Sequence, residues 1–336
     1  MIRPYYRPIN FILIAIFCSL VSGADNTKLA QTGFQFLSVT SDARAGGMGE
    51  AMTTFHTNSS ALFFNPAGMA RQKNNIDLSF SQNQWIADIN HNALSVSLVP
   101  ANGKYGVIGM SFVNVDYGEL HGTMVWDNEQ GFIDTEIIKP SALALGVGYA
   151  KALSDKFSVG GQIKSAYQYL GKSIIPDSDT TQALVKNTAD AIAFDFGTIY
   201  HTGWKSFTFG MSVRNFSQEI KFQTEGFQLP LLFTIGASMN LFDLFLTELR
   251  SQSLYLSVDA LHPRSFSERL NIGLEYSLMD MLVIRTGYLM NYDERGFSGG
   301  IGVQKTIGPL SFGIDYAYTP FGVFDNVQRM SLYITF

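Results

Sequence analysis

Histidines are the residues of this chain that most directly suggest a chemical function. A zinc site needs imidazole or carboxylate ligands at short, regular spacing, and no two histidines here have that spacing. We therefore interpret them as ordinary surface residues and expect no metal and no cofactor. The five are His56, His91, His121, His201 and His262.

A second group of polar residues imitates a hydrolase. Asp116, His121 and Asp127 all fall in segment 114–138, where a carboxylate and an imidazole could serve acid–base catalysis. Polar residues are also the ordinary content of an exposed loop. Gly46–Gly49 lacks the preceding strand and the following βαβ unit of a dinucleotide site. We therefore predict a protein without a catalytic site.

The elements that must position these residues are short segments in which apolar and polar residues alternate. About fourteen such segments run from Ile76 to Phe336, and this pattern is typical of a membrane-spanning β-barrel. The last segment shows it clearly, since one face is apolar and the other polar. The apolar face, predicted to contact lipid, holds Met330, Leu332, Ile334 and Phe336, and the other holds Ser331, Tyr333 and Thr335.

The polar face distinguishes a barrel from a soluble β-sandwich. A sandwich turns its apolar faces inward and carries charged outer faces, yet only 15% of this chain is charged. Small residues beside mixed charges suit a narrow, wet lumen. The predicted lumen residues are Asp77, Ser79, Ser81, Ser95, Ser97, Gln162, Lys164, Gln168, Arg214, Asp259, Glu275, Arg285 and Asp315.

Connection lengths support the barrel and orient it. An even strand number returns both ends of the barrel to one side, predicted to be the periplasm, where turns are short. The long connections 114–138, 170–189 and 216–229 then all lie outside the cell, while 241–251 is an exception with helical apolar spacing. The predicted strands are 76–84, 91–99, 104–113, 139–151, 156–169, 190–201, 205–215, 230–240, 252–261, 269–277, 281–290, 296–306, 309–319 and 327–336.

Residues 1–23 have the features of a secretory signal peptide. Arg3 and Arg7 precede the apolar run 11–21, and small residues follow it near a cleavage site at Gly23 or Ala24. The one cysteine, Cys18, falls in this leader, so we expect no disulfide afterwards. Cleavage leaves 21 Lys and Arg against 28 Asp and Glu, a net charge of −7 that excludes nucleic acid as a partner.

Residues 24–75 precede the first predicted strand and lack sustained alternation. Asn58 is suited to cap a short helix that continues to Phe64, and Pro66 ends it by restricting Asn65. A barrel of fourteen strands lined by small side chains leaks unless something fills it. We therefore predict that 24–75 is a hatch inside the lumen and that 76–336 is the barrel.

Two runs in this segment carry a family resemblance. Ser41–Gly49 (SDARAGGMG) and Asn58–Gly68 (NSSALFFNPAG) resemble the start of the PorV/PorQ family of outer-membrane proteins, related to FadL-type barrels. Matches continue at 85–89, 115–118, 150–159 and 193–200, while Thr57-Asn58 and Phe63-Phe64 depart from the family pattern. The resemblance implies a fourteen-stranded barrel with a hatch. Its motif residues are Arg44, Gly46, Gly47, Met48, Gly49, Asn65, Pro66, Ala67 and Gly68, and Phe336 is the barrel's C-terminal signal.

Arg44 needs a carboxylate partner if it lies in a lumen with Asp77, Asp195, Asp259 and Asp315. An ion pair that fixes the hatch is favoured over a ligand contact.

The resemblance implies an integral outer-membrane protein, surrounded by lipid, that binds secretion components or cargo proteins of type IX secretion at its external loops. The alternative is a FadL-like transporter of hydrophobic solutes. Apolar loop residues would either dock a partner or pack on the barrel rim. They are Val125, Trp126, Phe132 and Ile133.

Overall fold

The computed structural model describes residues 32–176, 182–221, 226–245 and 251–336. Fourteen antiparallel strands form a closed barrel in which consecutive strands pair and the first pairs with the last. The predicted all-β, fourteen-stranded fold is therefore confirmed. Closure matters because it leaves no backbone hydrogen-bonding group of an edge strand exposed to lipid. The predicted signal peptide, residues 1–23, and residues 24–31 lie outside the described residues.

The barrel strands are β1 (Ile76–Gln84), β2 (Asn90–Leu98), β3 (Val107–Asp116), β6 (Ser141–Ala152), β7 (Phe157–Pro176), β8 (Gln182–His201), β9 (Thr208–Ser217), β12 (Leu232–Asn240), β13 (Gln252–Pro263), β14 (Arg269–Leu278), β15 (Leu282–Met290), β16 (Phe297–Ile307), β17 (Leu310–Thr319) and β18 (Val327–Thr335). Two small hairpins lie outside the barrel sheet: β4 (Leu120–Val125) with β5 (Phe132–Ile138), and β10 (Ile220–Lys221) with β11 (Gly226–Phe227).

Side-chain exposure follows the two-residue period of the strands. In β18 Met330 is 45% exposed, whereas its neighbour Ser331 is 2% exposed. The β1–β18 seam is completed by Ile76 and Phe336, whose backbone N–H groups each donate to the other's carbonyl at 2.8 Å. The apolar face therefore points away from the lumen. None of the described helices is long and apolar enough to cross a membrane.

Two strands are longer than predicted. β7 continues as far as Pro176, and β8 already begins at Gln182. Most of the predicted loop 170–189 is therefore paired strand. A bulge between Tyr169 and Lys172, with Gly171 at a φ of +98°, shifts the register. A bulge inserts one residue and reverses which face each later residue occupies, so the alternation ends there while the strand does not.

The other long connections also contain secondary structure. Segment 114–138 holds the β4–β5 hairpin, and 216–229 holds the β10–β11 hairpin. The predicted helical spacing of 241–251 corresponds to one helical turn, α2 (Phe242–Phe245). We call the rim carrying the β4–β5 hairpin the long-loop end and the opposite rim the short-turn end.

Residues 32–75, here called the N-terminal segment, contain helix α1 (Ala43–Gly47) and the 3₁₀ helices η1 (Gln35–Ser38), η2 (Asn58–Phe63) and η3 (Pro66–Met69). The prediction that Asn58 caps a helix to Phe64 was wrong. Thr57 precedes η2 without capping it, and the Asn58 amide donates to Asp77 instead, at 3.1 Å. Pro66 begins η3, where its missing N–H is not needed.

The N-terminal segment starts at the long-loop end. Thr32 bridges to Gln228, and the Ser265 hydroxyl bonds to the Thr32 hydroxyl at 2.9 Å. From there the segment contacts inward-facing residues of strands all around the barrel before it reaches β1 at the short-turn end. Five of its buried apolar side chains form a cluster with Tyr255 of β13: Ala45, Met48, Met52, Phe55 and Phe64.

Candidate functional site in the barrel lumen

Arg44 is held between helix α1 and the wall. The Asp42 carboxylate caps α1 by accepting from the Ala45 N–H at 2.8 Å, which fixes the turn that carries Arg44. The Arg44 guanidinium then donates to both carboxylate oxygens of Glu275, at 2.7 and 2.8 Å. Two parallel bonds of this kind fix direction as well as distance.

This pair belongs to a row of alternating charges. Arg285 donates to Glu275 and to Asp315, both at 2.6 Å. The predicted requirement for a carboxylate is met by Glu275 of β14 and not by any of the four aspartates named from the sequence. Removing one member would leave a buried charge without a partner. The free-energy cost of that unpaired charge is far larger than the stability that the intact row contributes.

The glycines after Arg44 allow close approach to the wall. A Cβ on Gly46 would lie 2.7 Å from the Arg329 Cδ, nearer than real Cβ contacts come. Gly49 has a φ of +58°, a conformation that side-chain-bearing residues rarely adopt. Gly47 is buried within α1, and Met48 is fully buried in the apolar cluster. Gly46–Gly49, four of the predicted motif residues, therefore pack closely against the wall and the apolar cluster.

Glu50 follows this turn and is a charge that the sequence did not single out. It accepts from Arg295 at 2.7 Å and lies 3.6 Å from Arg329. Burial alone would raise the pKa of the Glu50 carboxyl, but the two guanidinium groups hold it below its ordinary value. Glu50 is thus a carboxylate that joins the segment to the long-loop end of the barrel.

A second pair of contacts lies on β12 and β13. The Asp259 carboxylate accepts from the Thr53 N–H at 3.0 Å and from its hydroxyl at 2.7 Å, while the Thr54 hydroxyl bonds to Ser238 at 2.7 Å. The inward-facing Gly210 of β9 makes room for the same turn, since a Cβ there would lie 2.6 Å from the Thr53 carbonyl oxygen.

The NPAG residues (Asn65–Gly68) form a further contact between the segment and the wall. The Asn65 side chain donates to the carbonyls of Thr53, at 2.7 Å, and Thr198, at 3.1 Å, and it accepts from the Ala67 N–H at 3.1 Å. Pro66 and Ala67 approach Gly160 of β7. A Cβ on Gly68 would lie 2.6 Å from the Phe55 carbonyl oxygen. This turn therefore links the segment to itself and to β7 and β8.

The surface interpretation of the histidines was wrong for three of them. His91 is 2% exposed, and His56 and His201 are half-buried with their Nε2 atoms 3.0 Å apart. These residues are 145 positions apart in sequence, so no local spacing could have revealed the pair. In the described residues, no cluster of three metal-ligating side chains occurs.

The hydrolase-like residues do not form a constellation. Asp116 ends β3 and accepts from the Gly118 N–H at 2.9 Å, while His121 lies in β4 and Asp127 in the connection to β5. All three are exposed, and none of the hydrogen bonds found in the described part of the chain joins them.

Among the described residues, two of the cavities in the lumen are large enough for a small molecule. The outer cavity, about 360 Å³, opens near the long-loop end, and the inner cavity, about 370 Å³, lies nearer the short-turn end. Among the outer cavity's lining residues are Glu50, Thr53, Trp85, Arg214, Asp259, Arg264, Phe266, Arg269, Tyr292, Arg295 and Phe321. Among those of the inner cavity are Asp42, Arg44, His56, Asn58, Asp77, Glu275, Arg285, Asp315 and Tyr333.

Comparison with known sequences identifies the family. A family model described as "Type IX secretion system membrane protein PorP/SprF" matches residues 50–326, most of the barrel and part of the N-terminal segment. The chain belongs to the PorP/SprF family. The match does not confirm the PorV/PorQ naming that the motifs suggested, but it confirms the relation to type IX secretion. None of the curated proteins compared matches the chain.

Solved structures share the fold at low sequence identity. The Pseudomonas putida toluene transporter TodX has a TM-score of 0.57 and 11% identity over 86% of this chain and 96% of its own. The Ralstonia pickettii toluene transporter TbuX has a TM-score of 0.58 and 13% identity over 91% of this chain and 99% of its own. A Pseudomonas aeruginosa FadL homologue has a TM-score of 0.51 and 14% identity over 89% of this chain and 98% of its own. The chain therefore shares the β-barrel fold of these structures and belongs to a family of type IX secretion membrane proteins.

Proposed function

We propose that this PorP/SprF-family barrel is a non-enzymatic component of type IX secretion that binds secreted or surface-attached partner proteins at its long-loop end, in the manner expected of PorV/PorQ-type barrels. The observation that carries the proposal is the β4–β5 hairpin. Val125 and Trp126 at its tip are 87% and 54% exposed. Large apolar side chains exposed outside the lipid-facing wall indicate a contact surface.

The hairpin is attached to the barrel at its base. Lys172 of β7 pairs with Glu136 at 3.2 Å, and Lys139 pairs with Glu119 at 2.5 Å. Such exposed pairs contribute little stability, but they orient the hairpin above the rim. Together with the other long connections it offers a surface near the ~800 Å² per partner of a stable interface. The short turns at the opposite end offer much less.

The proposal includes the maturation and layout of the chain. Residues 1–23 act as a cleaved signal peptide, residues 24–75 act as a hatch in the lumen, and residues 76–336 form the outer-membrane barrel in contact with lipid. The contacts of Arg44, Thr53, Asn65 and Ala67 with inward-facing wall residues support the hatch. Phe336, at the seam with Ile76, supplies the carboxyl-terminal signal for barrel assembly.

A pull-down in mild detergent from the native host tests partner binding. The variant V125S/W126S removes the two exposed apolar tip residues, and W204S/M279S removes two exposed apolar residues at the short-turn end as the control. We expect secretion components or surface cargo to co-purify with the wild type and the control but not with the tip variant. Equal recovery of those partners with both variants would contradict the proposal.

Transport of hydrophobic solutes is the second candidate function. The two lumen cavities on either side of the N-terminal segment favour it, as does the fold shared with the toluene transporters. If the barrel purifies without partners, and the host takes up a hydrophobic compound only when the barrel is present, the transport function replaces the first.

A further inference from the structure

The outer cavity combines aromatic walls with guanidinium groups. Arg269, at the start of β14, lies between two rings, with its Cζ 4.1 Å from the Phe266 centroid and 4.0 Å from the Tyr292 centroid. Arg295 lies 4.4 Å from the same Tyr292 ring. A guanidinium stacked between rings keeps its N–H edge free for an acceptor and has already lost its rotamer freedom.

Three of these guanidinium groups lack a carboxylate. Of the ion pairs found in the described residues, none involves Arg214, Arg264 or Arg269. Arg214 donates to the Phe63 carbonyl oxygen, and Arg264 donates to the Leu229 carbonyl oxygen at 3.4 Å. The Arg269 Nε is shielded from solvent and has no acceptor among the described atoms. Arg269 lines the cavity, and a guanidinium has five N–H donors, so donors other than Nε remain for an acceptor that enters the cavity.

The acids of the cavity do not cancel this charge. Glu50 is paired with Arg295 and Arg329. Asp259 accepts only from the neutral Thr53, so its charge offsets one of the three guanidinium groups and leaves the other two. The remaining two acids, Asp293 and Glu294, are exposed at the rim. The depth of the cavity therefore carries an excess of positive charge.

We propose that the outer cavity binds a carboxylate carried on an aromatic or aliphatic stem. The carboxylate would accept from Arg269 and a neighbouring guanidinium, and the stem would lie against Trp85, Phe266 and Phe321. A volume of about 360 Å³ falls within the ~300–1,000 Å³ range of small-molecule sites. The carboxylate belongs either to a free acid or to the end of a peptide. This proposal does not depend on partner binding by the β4–β5 hairpin.

Tryptophan fluorescence in maltoside micelles tests the proposal. Replacing Trp126 and Trp204 by Phe leaves Trp85, which lines the cavity, as the reporter. The probes are 3-phenylpropionate and 3-phenylpropionamide, with N-acetyl-Ala-Phe as acid and as amide for the peptide source. We expect at least one acid to bind about tenfold more tightly than its amide, and added salt to weaken it. The acid that binds identifies the source of the carboxylate.

Variants at the arginines separate this site from unspecific uptake. R269Q should weaken binding of the acid about tenfold and leave the amide unchanged, whereas K305Q, which removes an exposed positive charge at the short-turn end, should change neither. R264Q serves as a second variant if R269Q lowers the melting temperature. Equal binding of acid and amide, or acid binding that survives both arginine changes, would overturn the proposal.

Discussion

At the scale of single residues, His56 of the N-terminal segment and His201 of the wall are joined by a hydrogen bond in which one hydrogen lies between their Nε2 atoms. The His56 Nδ1 lies 3.1 Å from the Gly68 carbonyl oxygen and must carry a hydrogen to bond there. The His56 Nε2 is then the acceptor for the His201 Nε2–H. Burial, with smaller effects of His201 and Arg71, lowers the pKa of His56 to about 4. Burial therefore keeps His56 neutral, in the tautomer that its two hydrogen bonds require.

This arrangement predicts an acid-sensitive contact. Above the ordinary histidine pKa of ~6.5, His56 is neutral whether folded or unfolded, so its contribution is complete. Between pH 6.5 and about pH 4, the unfolded chain binds the proton while the folded chain does not, so the stability decreases as the pH is lowered. H56Q should flatten this part of the melting-temperature profile, whereas H121Q, at an exposed histidine, should not. Parallel profiles for wild type and H56Q would contradict the prediction.

Individual charges illustrate what sequence reasoning reaches at this scale. The need of Arg44 for a carboxylate follows from its position in a predicted lumen, but the choice of Glu275 depends on the register of β14 and the turn of α1. His56 and His201 come together only because a segment without regular alternation crosses the lumen. Such pairs carry no signal in local spacing.

At the scale of elements, the two-residue period of strands made the barrel predictable. Each strand has one outward-facing apolar side and one lumen-facing polar side, so composition alone separates the two faces. The prediction failed where this period breaks. The bulge at Gly171 hid the outer part of β7, and the short 3₁₀ turns of the N-terminal segment depend on wall contacts that its sequence does not display.

Close packing between an element and the wall gives a stability prediction. In G210V the new Cβ would meet the Thr53 carbonyl oxygen at 2.6 Å, so the turn must move, at a cost of about 1–3 kcal/mol. G161V is the matched control, since a Cβ there meets only ordinary contacts of 3.5 Å and beyond. Denaturant unfolding should show the loss in G210V alone, together with faster proteolysis of residues 32–75. Equal stability of the two variants would count against the described position of the turn.

At the scale of the whole molecule, the N-terminal segment and the wall depend on each other. Buried polar side chains of the barrel bond to the segment, so an empty lumen would leave them in water. Ser95, for example, donates to the Ser59 hydroxyl at 2.9 Å, and Ser97 donates to the Gln72 side chain at 2.5 Å. These bonds support the proposed role of the segment as a hatch that completes the polar interior of the barrel.

Removing the segment should open the barrel. In a chain lacking residues 32–69 the two cavities would merge, so we expect that chain to conduct ions in planar bilayers. The complete chain should stay closed. A disulfide between S59C and S95C should keep the complete chain closed, and S59C with S257C, on the opposite wall, should not form one. A deletion variant that folds as a barrel and does not conduct would show that other residues close the lumen.

The start of the N-terminal segment has a consequence for biogenesis. Thr32 lies at the long-loop end, while the same segment joins β1 at the short-turn end, beside the seam where β1 meets β18. The N-terminal segment thus runs from one end of the closed barrel to the other. The seam that closes the barrel involves β1, the strand that directly follows this segment. Entry after closure would carry Arg44 and Glu50, without their partners, through an already narrow passage. The order of assembly that avoids this places the segment first and joins the seam last.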